Sequence, residues 1–201
     1  LIRLFVSRGP GGFTTNPFET TGTEVYCAIT TFSVPPAEKY RAGVTTGRSE
    51  TRVKDGFYAR TKSCNYLPNV MMKKEALERK LDFVISHDED GFLAEGSTEN
   101  FALIDSSGKL VLPAFDRILR GVTAVRALEL ARDIGIGAEN RRFTEEDVRK
   151  AKGAVMLGTT IDVLPVASFE DHRFGEIPSE TRRLMQAFAE DVAIGPLRTK
   201  F

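Results

Sequence analysis

Neither sign of charge predominates in this sequence of 201 residues, where 28 Lys and Arg offset 28 Asp and Glu. No overall field draws the molecule to nucleic acid or to an anionic membrane surface, so partners must be sought in local sites. Cysteine and histidine are scarce. Cys27 and Cys64 form neither a C-x-x-C pair nor another metal-ligand spacing, and with only His87 and His172 to add, no structural zinc site is expected. Two isolated thiols fit a reducing cytoplasm. No apolar run approaches the roughly 18 residues that span a bilayer, and the opening LIRLFVSRGPGG lacks the apolar centre and small-residue cleavage site of a signal peptide. No membrane partner is expected. Internal repeats, low-complexity tracts and interdomain linkers are absent too.

What is present is an apolar content of 41%, enough to bury one substantial core, and the length points to a single domain over residues 1–201. LIRLFVSRG begins directly as a strand, apolar at Ile2, Leu4 and Val6, with no polar lead-in, which suggests an upstream segment beyond this sequence. TEVYCAITTFSV (23–34) is a second β-rich run, ended by Pro35-Pro36, and TTGRSETRVKDG (45–56) reads as a loop. A helix to about Lys80 follows, with Asn65 as its cap, Pro68 in its first turn, Val70, Leu77 and Leu81 as its apolar face, and Glu75 placed to pair with Arg79. DFVISHDEDGFLAEGSTENFALIDSSGKLVLP then reads as a meander of three short strands separated by Asp-Gly and Ser-Gly turns. Further helices are expected at ILRGVTAVRALELARDIG, TEEDVRKA and SETRRLMQAFAEDVA, with a buried strand at GAVMLGTT. The class is mixed α and β around a largely antiparallel sheet.

Three features could carry chemistry. Lys62 stands apart from Lys73, Lys74 and Lys80, outside the helix and next to small polar residues, where an amine can be held for covalent chemistry. Taken alone, such a lysine is more often simply solvated. Glu95, in LAEGSTEN, could be a carboxylate held to pair with a heterocyclic cation, with Asn100 to orient it, or an ordinary turn glutamate. Gly121-Val122-Thr123 opens a helix, and Gly158-Thr159-Thr160 ends a strand. Both offer N–H or hydroxyl donors to a phosphate, and both are also ordinary capping chemistry. Together, an amine, a carboxylate and two donor loops form the set that pyridoxal 5'-phosphate requires.

On these motifs the sequence resembles the class IV aminotransferases, the fold type IV pyridoxal-phosphate enzymes that include branched-chain and D-amino acid aminotransferases and aminodeoxychorismate lyases. The match carried by KSCNYLPN, EGSTEN, GVT and GTT covers their larger C-terminal domain, whose sheet or pseudo-barrel is flanked by helices. The resemblance implies that Lys62 is the Schiff-base lysine and that Tyr66 touches the phenolic oxygen. Glu95 would partner the pyridine nitrogen, and Gly121, Val122, Thr123, Gly158, Thr159 and Thr160 would hold the phosphate. It implies transamination between an amino acid, of the branched-chain L series, and a 2-oxo acid, in a cytoplasmic homodimer. A lyase releasing pyruvate, or an inactive fragment of either enzyme, is the alternative. Glu95→Gln should then cost more in rate than in cofactor binding. Ala124 stands where the family usually has Arg, and its smaller N-terminal domain, with a phosphate-clamping arginine, has no counterpart. RGPGG (8–12) is similar to the R-G-x-G-G of lyases. Phe13, Thr14 and Thr15 replace the basic carboxylate trap of D-amino acid enzymes, an argument against that specificity.

Overall fold

Strands that are apolar along most of their length lie in the centre of a sheet covered on both sides. The computed structural model describes residues 1–194, and these fall into two compact units that divide between Val34 and Pro35. The length argument for a single domain thus gives way to two units without a linker, divided at the Pro-Pro pair.

The first unit is a ribbon of β1 (Ile2–Ser7) and β2 (Glu24–Ile29), antiparallel and in register from Ile2↔Ile29 to Ser7↔Glu24. Its long connection is organised locally. Asn16 caps a 3-10 turn at Pro17–Glu19 by accepting from the Phe18 N–H, and the Thr14 hydroxyl donates to Glu19 at 2.8 Å.

The second unit is built on a sheet of β3 (Val44–Arg48), β4 (Phe83–Ile85), β5 (Asn100–Ile104), β6 (Leu110–Leu112), β7 (Ala138–Asn140), β8 (Gly153–Gly158) and β9 (Asp162–Phe169). The order across it is β4-β3-β9-β8-β5-β6-β7, with β10 (His172–Arg173) paired to β9. The centre, β9-β8-β5-β6, is antiparallel, while β3 pairs parallel with both β4 and β9, and β6 with β7. Two expectations need correcting. Residues 44–48 form a buried strand, not the start of a loop. And β4 leaves the expected meander to pair parallel with β3, from Thr46↔Phe83 to Arg48↔Ile85, while the buried Thr46 ties β3 to β9 by donating its hydroxyl to the Ser168 carbonyl at 2.8 Å.

Side-chain alternation sorts the core into two layers. Ala102, Ile104, Leu110, Leu112, Val155 and Leu157 face α4 (Val122–Asp133) and α6 (Ser179–Ile194), meeting Ala127, Leu128, Ala131, Leu184 and Phe188. Phe101, Leu103, Val111, Met156, Leu164 and Phe169 face the other way, with Phe143 and with Val148 of α5 (Glu145–Lys150), whose Thr144–Asp147 capping box forms as the sequence suggests. Burial on both faces is why these strands read as continuous apolar runs. Two short helices, α1 (Ala37–Ala42) and α2 (Gly56–Arg60), flank β3, and α3 (Leu67–Glu78) packs on β4.

In α3 the predicted pairing of Glu75 with Arg79 is present at 2.8 Å, but the predicted apolar face is not the buried one. Val70 and Leu77 are 56% and 64% exposed, whereas Met72 and Ala76 are 4% and 1%. Tyr66, not Asn65, holds the cap position, without a side-chain hydrogen bond. Among the described residues no helix is long and apolar enough to cross a membrane.

Candidate active site

Between the loop ahead of α3, the turn after β4 and the openings of α4 and the β8–β9 turn lies a cleft of about 370 Å³. Lys62, Tyr66, Glu95, Gly121, Val122, Thr123, Gly158 and Thr159 all line it. The four motifs, up to 97 positions apart in the chain, therefore share one concave surface of a size suited to a small ligand. Thr160 is not among the lining residues. It lies one step beyond Thr159 in the turn.

Lys62 lies in the short connection between α2 and α3 and is exposed, as are Lys73, Lys74 and Lys80. The cleft, not exposure, sets it apart. The Lys74 ammonium is taken by Glu78 on the outer face of α3.

Glu95 is pinned at its backbone and at its carboxylate. The Ser86 N–H and hydroxyl donate to its carbonyl at 2.9 and 2.8 Å, and its own N–H donates to the Ser86 hydroxyl oxygen at 3.3 Å. Oε2 accepts from the Leu119 N–H at 3.1 Å and from Nδ2 of Asn100 at 3.4 Å. Burial pushes this carboxyl from an ordinary 4.5 up to about 8, against the pull of the Leu119 N–H and of the Lys54 and Lys62 charges. Among the described residues the carboxyl has only neutral hydrogen-bond donors in contact with it, and a cation at that contact would stabilise its charged form and bring the value down.

Gly121 caps α4, whose first N–H groups, those of Val122 and Thr123, have no acceptor within the helix. The glycine is required by contact rather than by conformation, since its φ is −63° and a Cβ would collide with Oδ1 of the buried Asn100. That amide also donates to the Leu119 carbonyl at 3.0 Å, so one side chain braces both Glu95 and the mouth of α4. Ala124, where an arginine was the family expectation, is fully buried in the core beneath α4 and has no ion pair to offer.

Several cleft residues escape the sequence reading. Leu119 acts through its N–H, which no side-chain pattern advertises. Asn69 donates to the Ser97 carbonyl, tying α3 to the EGST turn, while its buried Oδ1 has no hydrogen-bond partner among the described residues. Lys54, in the loop after β3, lines the same cleft.

The family model for amino-transferase class IV matches residues 1–169, and the chain belongs to that family. The chloroplastic D-amino-acid transaminase of Arabidopsis thaliana is 33% identical over 205 residues, covering 97% of this chain and 54% of its own length. A putative branched-chain-amino-acid aminotransferase of Methanocaldococcus jannaschii is 27% identical over 207 residues, covering 100% and 68%. The T.th. branched-chain amino acid aminotransferase, solved with pyridoxamine 5'-phosphate, superposes with a TM-score of 0.86 at 25% identity, over 94% of this chain and 64% of that one. The chain thus spans about half the length of the Arabidopsis relative.

Proposed function

We propose that the cleft binds pyridoxal 5'-phosphate and transfers an amino group from an amino acid, of the branched-chain L series, to a 2-oxo acid. The observation that supports this reading is the meeting of Lys62, Glu95 and the two donor loops in one cleft. The residues fit the group chemically: a carboxyl held by neutral donors faces the cleft, and a helix opening offers unpaired N–H groups beside a glycine that admits no larger residue.

When bound, the cofactor supplies an aldehyde carbon and a ring that draws electrons from the substrate α-carbon. Lys62 would hold that aldehyde carbon and, once displaced by the substrate amine, move a proton between the substrate α-carbon and that same carbon. Glu95 would keep the ring nitrogen protonated, its carboxylate held in place by Leu119 and Asn100. The Val122 and Thr123 N–H groups and the Thr159 hydroxyl would hold phosphate oxygens, and the Tyr66 phenol the ring oxygen. All these residues belong to the second unit.

The branched-chain series is supported by the names of the M. jannaschii and T.th. proteins. The Arabidopsis relative bears a D-amino-acid name at higher identity, so the lack of a basic residue at Phe13, Thr14 and Thr15 does not exclude D substrates. Exposed Phe57, Tyr58, Leu67, Val70 and Met71 support self-association as a homodimer, which a monomeric mass in solution would overturn. The free thiols of Cys27 and Cys64 support a cytoplasmic setting.

The test is borohydride reduction after incubation with the cofactor, followed by peptide mass spectrometry. A pyridoxyl group on Lys62 is expected. Labelling spread over Lys73, Lys74 and Lys80, or none, sinks the reading. Glutamate formed from 2-oxoglutarate with L-leucine, with D-alanine, or pyruvate released from aminodeoxychorismate without an acceptor, then separates the two transaminase specificities from the lyase.

A further inference from the structure

The cleft holds a second ammonium group that the proposed chemistry does not use. Lys54 is half-buried in the loop between β3 and α2, and its side chain reaches the segment that carries Lys62. Its Nζ donates to the Asn65 carbonyl at 2.7 Å and stands 6.0 Å from the centre of the Tyr66 ring. The neighbouring acid, Asp55, is taken by Arg117 at 3.0 Å. Lys54 thus lines the cleft with its ammonium held on the Asn65 carbonyl. The other basic residues there differ: Arg52 is exposed and acts on His87, and the Arg120 guanidinium lies over the Phe115 ring at 5.8 Å.

We propose that Lys54 is a positioning residue of the active site, its ammonium clamping the backbone of the Lys62–Tyr66 segment and setting a fixed positive charge within electrostatic reach of Glu95. The inference rests on the cofactor reading above, since its purpose is to serve that chemistry. A carboxyl that burial lifts to about 8 is mostly protonated at neutral pH, and a site that needs it charged gains from a nearby cation that is not itself consumed. The charged groups acting on Glu95 are Lys54 and Lys62, which favour its anion, and Glu99, which opposes it. Arg52 and Arg120 complete the ionic lining, while α3 and the β8–β9 turn contribute only uncharged side chains, among them Asn69, Met72 and Thr159. Lys62 cannot be that permanent cation, because its amine must be free for bond formation. Lys54 can.

The test is carried out on the whole protein labelled with ¹³C at glutamate carboxyl carbons. The Glu95 resonance is the one lost in Glu95→Gln, and its titration midpoint is followed by NMR. Lys54→Met is expected to raise that midpoint by about half a pH unit, the order of effect of one charge in a partly hydrated cleft, and Lys54→Arg to restore it. Lys54→Gln keeps a donor for the Asn65 carbonyl but lacks the charge. It should shift the midpoint as Met does, and it carries the test if Lys54→Met does not fold. The second readout is the yield of borohydride-trapped pyridoxal on Lys62. In that reaction the amine adds to the aldehyde, water leaves, and hydride reduces the imine. The yield should fall severalfold in Lys54→Met and less in Lys54→Gln, where the clamp survives. An unchanged Glu95 midpoint in both neutral variants overturns the proposal. Failure of unsubstituted Lys62 to label overturns instead the cofactor reading, and the Glu95 titration is read independently of it.

Discussion

A carboxyl lifted by burial to about 8 stays protonated in the folded protein over a pH range in which the unfolded chain has already released the proton. Glu95 therefore favours the fold most at and below its ordinary 4.5, and this contribution is lost as the pH rises towards and through the folded value. The full loss is on the order of 5 kcal/mol. For the cofactor-free protein, the melting temperature should fall between about pH 5 and about pH 8.5, and Glu95→Gln should flatten much of that fall. An identical slope in the variant would mean that the carboxyl is not desolvated. Glu95 and Lys62 were legible in the sequence because motif and spacing singled them out. Lys54 was not, since a basic residue in a polar loop looks like any other until the chain folds over it. Adjacent hydroxyls in a turn are equivalent on paper, and of the two only Thr159 lines the cleft.

Among the elements, the helix behind Lys62 is the one whose sequence misleads. Large apolar residues marked Val70 and Leu77 as its inner face, yet the space above β4 is filled by Met72, Ala76 and Val84, with Leu81 at the margin. The helix is held instead by polar ties. Arg79 bridges Glu75, Glu170 and the Arg48 carbonyl, and the Ser49 hydroxyl donates to Glu75 at 2.6 Å. Met72→Ala should accordingly cost about 2–4 kcal/mol in denaturant unfolding, and Leu77→Ala less than about 0.5 kcal/mol. The reverse ranking would restore the sequence-based face. The centre of the sheet was readable because its strands are apolar on both sides and β5 and β6 are joined by a Ser-Gly turn. Strand β3 was not, because its threonines and glycine are buried through hydrogen bonds and close packing, which polarity conceals.

For the molecule as a whole, every cleft residue falls between positions 52 and 159, and all three hydrophobic clusters lie beyond Val34. A chain begun at Pro35 should therefore fold cooperatively and still accept the borohydride-trapped label on Lys62. Loss of the label with the fold intact would assign the first unit a part in holding the cofactor. The length of the sequence hid this division, since two units joined at a Pro-Pro pair need no linker for composition to reveal.

The amide of Asn100 carries a consequence for how such a site can change. One face of it braces Glu95 and the Leu119 carbonyl, and the other fills the space that any side chain at Gly121 would need. Glu95 and the opening of α4 are thus geared to a single residue. A side chain placed at 121 would have to displace the amide at 100, and with it one of the two hydrogen bonds that hold the Glu95 carboxyl.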